Sequence, residues 1–419
     1  MPSDRKSLIF HIDVNSAFLS WSAIKLLKEG GKVDLRLIPS IVGGDQETRH
    51  GIVVAKSIPA KKYGIKTADT VASAFARCPD LVMVPPDHAY YREMSHAWKT
   101  FLSELFPVMQ SASVDEVYVL FEPDLALLSD PLKMAEYIRQ ETVRRFGFTV
   151  NVGISEVKVL AKMASDFQKP DRTHTLYQSE IREKMWPLPI GELFMCGKST
   201  AARLESLAIK TIGDLAQSDP AYIEGLLKKH GRLLWQYANG IDPSPVRAIP
   251  EKVKGVGNST TLAQNAETRE EALAVIKALC RSVSQRLKKK GFLAGEVSVE
   301  IKYSDFHTES HQTQLDKVTD KADELYRQSV RLFDALWKGE PIRLLGVRTG
   351  RLTEEEEPYQ MTIFDYERIR ERDEKERKMQ LAELAIKKRF GKNAVLKATS
   401  LQEGAMTRER NNQVGGHKG

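Results

Sequence analysis

Acidic side chains set inside apolar, strand-like runs are the chemically suggestive feature of this 419-residue chain. The first run, Leu8 to Val14, contains Asp13 and continues as His11-Ile12-Asp13-Val14-Asn15-Ser16-Ala17-Phe18. The second, Ser113-Val114-Asp115-Glu116-Val117-Tyr118, carries two adjacent carboxylates. A lone carboxylate is expensive to bury, so any one of these is most simply a strand-end group facing water. Together they permit more. With Asp13 and Asp115 on neighbouring central strands, the site can hold two Mg²⁺ ions about 4 Å apart, the spacing that activates an attacking hydroxyl and stabilises a leaving oxygen. Adjacent strand residues point to opposite faces, so Asp115 and Glu116 share that cluster only if the strand bends or starts there.

The elements that must position these groups follow from periodicity. Strands are expected at Leu8 to Val14, Leu81 to Val84, Val114 to Phe121 and Phe148 to Ile154, with helices at about Tyr90 to Phe106 and Pro131 to Phe146. This alternation is that of a split βαβ sheet. Leu19 to Asp80, with no place in the alternation, reads as an inserted subdomain, and Ile181 to Asp242 as short helices punctuated by glycines. Asp242-Pro243-Ser244-Pro245 disfavours helix and marks a boundary near Val246. Beyond it, Ala272, Val275, Ile276, Leu279, Val283 and Leu287 recur at helical spacing, end in Lys288-Lys289-Lys290, and precede a strand-like Glu296 to Tyr303. That is an α+β module. After Leu352 a run of glutamates, Glu354 to Glu357, opens a charged tail.

The two acidic motifs resemble those of the Y-family translesion DNA polymerases, and the similarity runs in consistent order from about Leu8 to Leu352. The resemblance implies an α+β right hand with four parts and a tail. A split βαβ, ferredoxin-like palm would take residues 1–18 and 81–172, small fingers 19–80, a helical thumb with helix-hairpin-helix character 173–246, and a DNA-binding little finger 247–352. The tail would be 353–419. It implies template-directed addition of deoxynucleotides to a primer 3′ end, at low fidelity and without proofreading. Asp13, Asp115 and the backbone carbonyl of Val14 match metal-binding positions, and Glu116 the catalytic acidic residue beside them. Phe18 falls at the steric gate against a 2′-hydroxyl, next to Ala17 at the nucleotide. Lys61, in Ala60-Lys61-Lys62-Tyr63-Gly64-Ile65, and Lys169, in Asp166-Phe167-Gln168-Lys169-Pro170, match triphosphate contacts. Cations are required there to neutralise charge developing on phosphate. Lys198 in the thumb, with Arg281, Arg286, Lys288, Lys289, Lys290 and Lys302 in the basic module, are candidates for phosphate contact without base readout. Gln360-Met361-Thr362-Ile363-Phe364 is similar to the peptide by which bacterial polymerases hold the sliding clamp, with Gln360, Ile363 and Phe364 as its anchors. Four positions depart from the pattern: Asn15 for aspartate, Ile58 for tyrosine, Lys61 for arginine and Met195 for glycine.

Composition is compatible with this. The net charge is +7, and residues 247–352 contain 19 Lys and Arg against 14 Asp and Glu, so a polyanion would bind there first. Cys78, Cys196 and Cys280 are odd in number and far apart, which indicates neither a disulfide framework nor a zinc site. No signal peptide or membrane-spanning run is visible, so the expectation is a cytoplasmic monomer with primer-template DNA, deoxynucleoside triphosphates and the clamp as partners. Two rivals remain open. A nucleotidyl cyclase also uses two metals on such a palm, and Gly43-Gly44-Asp45 superficially suggests its turn. A DNA-bound scaffold would have no chemistry.

Overall fold

Near-continuous apolar character makes Leu8–Val14 a strand buried on both faces, and the rest of the first unit is built around it. The structure, a computed structural model, describes residues 7–44, 51–249 and 252–354, with short stretches between 378 and 418. It divides into two units, Met1–Gly43 with Val53–Pro250, and Gly44–Ile52 with Glu251–Gly419. The strands of the first are β1 (Leu8–Val14), β2 (Ser40–Gly43), β3 (Val53–Lys56), β4 (Val82–Val84), β5 (Met109–Ser111), β6 (Glu116–Phe121), β7 (Val150–Ser155) and β8 (Thr173–Thr175). Those of the second are β9 (Gly255–Ala266), β10 (Phe292–Tyr303), β11 (Thr308–Thr319) and β12 (Ile342–Glu354), with a separate pair of two-residue strands, Gln413–Val414 and His417–Lys418.

The main sheet of the first unit has the order β5-β6-β1-β7-β8, with β1 antiparallel to both β6 and β7. The two-residue period of the strand gives its faces different work. Phe10, Ile12 and Val14 enter an aromatic-rich core with Trp98, Phe121, Ile138 and Phe148, under helices His88–Leu105 and Pro131–Phe146. Ile9, His11 and Asp13 face the other way, toward helix Lys158–Asp166: Ile9 packs with Ala161, and His11 bonds Ser165.

One strand is not where periodicity suggested. Val82–Val84, expected to join the main alternation, lies parallel to β2 in a separate three-stranded sheet, β3-β2-β4, with Ser40 opposite Val82. At three residues it is too short to carry a pattern of its own, and pairing across some 40 positions decided its place. The inserted segment also begins as part of the main core. On helix Ala17–Lys28, Trp21 and Ile24 pack into that core, while Leu19 and Ala23 pack with Leu35 and Val42 of the insert.

Helices Lys198–Glu205, Ile212–Gln217 and Pro220–Ala238 share a third core with Val159, Leu160 and Met163, so helix Lys158–Asp166 is wedged between sheet and helical region. Its first turn lacks a local side-chain cap. Asp242, the first residue of the proline-containing segment, supplies one by accepting the Val159 N–H at 3.1 Å.

In the second unit, helices Arg269–Lys290 and Ala322–Leu336 bury their apolar stripes against one face of a sheet ordered β11-β10-β12-β9. The helix predicted from Ala272 to Leu287 is present and longer, with a capping box at Thr268 and Glu271 and a left-handed Gly291 closing it. Among the described residues no helix is long and apolar enough to cross a membrane, and Cys78, Cys196 and Cys280 are free and buried.

Candidate active site

The condition set for Asp115 and Glu116 is met by where β6 starts. The strand begins at Glu116, so Asp115 precedes the pleat, and its carbonyl accepts the Val14 N–H at 3.0 Å. Glu116 is the cross-strand partner of Asp13, on the face turned toward helix Lys158–Asp166. Register therefore brings all three acidic residues to one end of the two central strands.

Each carboxylate has a local partner. Asp13 is buried and ion-paired to Lys169, whose ammonium also meets Asp166 at 2.8 Å. Glu116 Oε1 accepts from Lys162 Nζ at 2.6 Å, and Lys162 reaches Asp166 at 3.2 Å. Asp115 Oδ1 accepts from Ser113 Oγ at 2.5 Å. Burial pushes the Asp13 carboxyl up to about 6, against the pull of Lys169 and Lys162 and with a further push from Glu116. Burial also lowers the pKa of both lysines, but Glu116, Asp166 and Asp13 outweigh it for Lys162, and Asp13 and Asp166 for Lys169, so both remain ammonium ions. His11 is driven well below its ordinary pKa by burial and then by the same two lysines, which leaves it neutral. Its Nδ1 lies 2.8 Å from Ser165 Oγ.

Hard oxygen donors are the right chemistry for a divalent ion such as Mg²⁺, and Asp13, Asp115, Glu116 and the Val14 carbonyl offer them. Among the described residues, however, no three His, Cys, Asp or Glu side chains converge on one point. Asp13 is paired instead with the ammonium group of Lys169, and Glu116 with that of Lys162. The donor set fits the ion; the side chains are turned to lysine.

Phe18 stands in the first turn of helix Ala17–Lys28, partly buried, behind a buried Ala17. Its ring stacks on Tyr91 at 4.7 Å between centroids and 12° between planes, with the His88 edge at 5.9 Å. Lys61 ends the short helix Ile58–Lys61 and is exposed. Lys56, which sequence reasoning passed over, is close enough to Lys61 that its pKa is lowered, first by burial and then by that charge. Ile58, at the position of the expected tyrosine, is 47% exposed and has no hydroxyl to offer. Met195 keeps the left-handed backbone that glycine adopts freely, with φ +71°, so the turn before Lys198 follows the path glycine would give it.

The basic candidates of the second unit fall in different places. Arg286 is committed to the fold, donating to the Gly257 carbonyl at 2.7 Å. Lys288, Lys289 and Lys290 occupy the last turn of helix Arg269–Lys290, where they also complement its dipole. Arg281 lies two turns earlier on the same helix. Lys302 is on β10, its ammonium 5.1 Å from the Phe306 ring. The face of the sheet away from the helices was missed altogether: Lys254, Ser298, Arg348 and Arg351, together with Glu296 and Glu300, line a polar depression across it. Two-residue alternation in Phe292–Tyr303 and Ile342–Glu354 carries that signal. Nothing in the sequence pointed to Lys162, which meets Glu116 across 46 positions. Gln360, Ile363 and Phe364 lie outside the described residues.

Residues 12–166 match the model of the impB/mucB/samB family, and residues 253–363 that of the family's C-terminal domain. DNA polymerase IV of Clostridium acetobutylicum is 39% identical over 396 residues, covering 94% of this chain and 98% of that protein. DNA polymerase IV 1 of Bacillus subtilis is 34% identical, with 95% and 94% covered. Among solved structures, a Y-family DNA polymerase chimera superposes with a TM-score of 0.71 at 20% identity, covering 83% of this chain and 99% of that one.

Proposed function

The chain belongs to the impB/mucB/samB family of Y-family DNA polymerases, and from that premise we propose that Asp13, Asp115 and Glu116 are the reaction centre of a template-directed, lesion-bypass DNA polymerase. One observation carries the assignment: the register that sets Glu116 opposite Asp13, with Asp115 bonded to Val14 beside them. In this reading the five-stranded sheet is the palm, the three-stranded sheet with its short helices the fingers, the helical region the thumb, and the second unit the little finger. The primer 3′ hydroxyl attacks the α-phosphorus of the incoming deoxynucleotide, and pyrophosphate leaves.

Asp13, Asp115, Glu116 and the Val14 carbonyl would hold the divalent ions, two Mg²⁺ in this proposal, whose chemistry is to lower the pKa of the attacking hydroxyl and to neutralise charge on the transferring phosphoryl group. Lys169 and Lys61 bind the triphosphate, with Lys56 beside Lys61, and Lys169 must leave Asp13 to do so. Lys162 holds Glu116 in place. The Phe18 ring, backed by Tyr91, closes the site to a 2′-hydroxyl. Lys198 and the basic groups of the second unit track the duplex backbone, joined by Arg348 and Lys254 on the open sheet face. The protein acts as a monomer in the cytoplasm, and Gln360, Ile363 and Phe364 recruit the sliding clamp.

Extension of a labelled primer on a template with Mg²⁺ and deoxynucleotides tests this directly. Wild type should extend, and Asp115→Ala and Glu116→Ala should each lose at least ~10²-fold in rate. Failure of folded, DNA-binding wild type to extend would instead support a scaffold. Primer-independent turnover of a nucleoside triphosphate would support a cyclase.

A further inference from the structure

The loop that presents Lys169 is held by two buried amides. Asn15, just beyond β1, and Asn151, on β7, are 7% and 0% exposed. Asn15 Nδ2 donates to Asn151 Oδ1 at 3.0 Å, and Asn15 Oδ1 accepts the Asp171 N–H at 2.9 Å. Asn151 Nδ2 donates to the carbonyls of Gln168 at 2.7 Å and Ser165 at 3.1 Å, while its Oδ1 also accepts the Arg172 N–H at 3.3 Å. Carbonyls only accept and backbone N–H groups only donate, so these contacts fix the orientation of both amides.

The pair thus ties the residue before Lys169 and the second residue after it to the strands β1 and β7. The loop needs such restraint. Asp171 sits at φ +57°, a region unfavourable for a residue with a Cβ. It is held there by Asn15 on its N–H and by Arg139, which donates to its carbonyl at 2.7 Å and its carboxylate at 2.9 Å.

We propose that Asn15 and Asn151 are positioning residues for Lys169 and through it set the affinity for the incoming deoxynucleoside triphosphate. This rests on the reading of Lys169 as a triphosphate contact. An aspartate at position 15 would still accept the Asp171 N–H, but it has no donor for Asn151 Oδ1 and would place negative charge against that oxygen. Asn151 cannot turn its amide to compensate without abandoning two carbonyls that have no other side-chain partner in this network.

The test is single-turnover insertion of one nucleotide by wild type, Asn15→Asp, Asn151→Ala, Lys169→Ala and Asn15→Asp/Lys169→Ala, with thermal unfolding of each. The apparent Kd of the nucleotide should rise about three- to tenfold in both asparagine variants, with a smaller fall in maximal rate, and at least as much in Lys169→Ala. Asn15→Asp should add little once Lys169 is gone, since the two act through one contact. The near-isosteric Asn15→Asp keeps the experiment decisive if Asn151→Ala fails to fold. Lower thermal stability with a wild-type apparent Kd would overturn the proposal, as would a full Asn15→Asp effect in the double variant. Unchanged affinity in Lys169→Ala alone would remove the underlying reading of Lys169 and the proposal with it.

Discussion

At the scale of single residues, Phe18 makes the sharpest claim on function. Its ring is fixed in two ways: the first turn of helix Ala17–Lys28 sets its Cα, and face-to-face stacking on Tyr91 sets its plane. Tyr91 is itself held, with its hydroxyl 2.6 Å from Ser22 Oγ. A gate must be rigid to discriminate one hydroxyl, because a hydrophobic pocket that can yield rejects an added hydroxyl only weakly. Phe18→Ala should therefore raise insertion of ribonucleotides relative to deoxynucleotides by roughly 10²-fold, with extension by deoxynucleotides retained. Unchanged sugar discrimination in competition assays would remove Phe18 from this role. The acidic residues stood out in the sequence by type and setting, whereas Phe18 was singled out only by the family resemblance. The counter-ions Lys162 and Lys169 show the limit: the resemblance assigned Lys169 to the triphosphate, and only the fold revealed that it rests on Asp13.

At the scale of elements, helix Lys158–Asp166 organises the cations that face the carboxylates. It supplies Lys162 and Asp166, it bonds His11 through Ser165, and the Lys169 loop follows directly from its end. Its closeness to the sheet depends on Gly153 of β7. A Cβ there would overlap the Ala161 carbonyl and lie 2.5 Å from the Ser165 nitrogen, both helix backbone atoms that cannot swing aside. Gly153→Ala should therefore destabilise the protein by about 3 kcal/mol, the upper part of the usual range for overpacking, and reduce extension activity in the same protein. Urea unfolding and primer extension on one preparation check this, and a stable, fully active variant would show that the helix tolerates displacement. This helix was missed as a scaffold because periodicity reports which face of a segment is apolar, whereas the contact with Gly153 depends on what packs opposite.

At the scale of the whole molecule, charge and chemistry are distributed between two units. The acidic centre and its cations belong to the first, while residues 247–352, nearly all of them in the second, carry 19 Lys and Arg against 14 Asp and Glu; the open sheet face of the second unit is polar and its other face is sealed by two helices. Binding to a phosphate backbone, as proposed for this unit, is electrostatic and indifferent to sequence, as copying any template demands. The proposed clamp peptide is a separate attachment. Deleting residues 360–364 should weaken clamp-stimulated synthesis several-fold and leave synthesis without the clamp unchanged, since a clamp-binding peptide contributes affinity and not chemistry. Equal loss in both assays would sink the assignment.

What the sequence determined by itself was local: the strand Leu8 to Val14, helices at about 90–106 and 131–146, the helical spacing from 272 to 287, and acidic residues within two strand-like runs. Each depends on neighbours within a few turns or pleats, and hydrophobic period and residue type record those. Tertiary structure alone decided which strand the short Val82–Val84 would join, where β6 begins relative to Asp115, and which cations face which carboxylates. The Asp13 and Lys169 pair closes across 156 positions and the Asn15 and Asn151 pair across 136. Pairings at such separations are chosen by the packing of the whole sheet against its helices, and no segment of the chain carries that information alone.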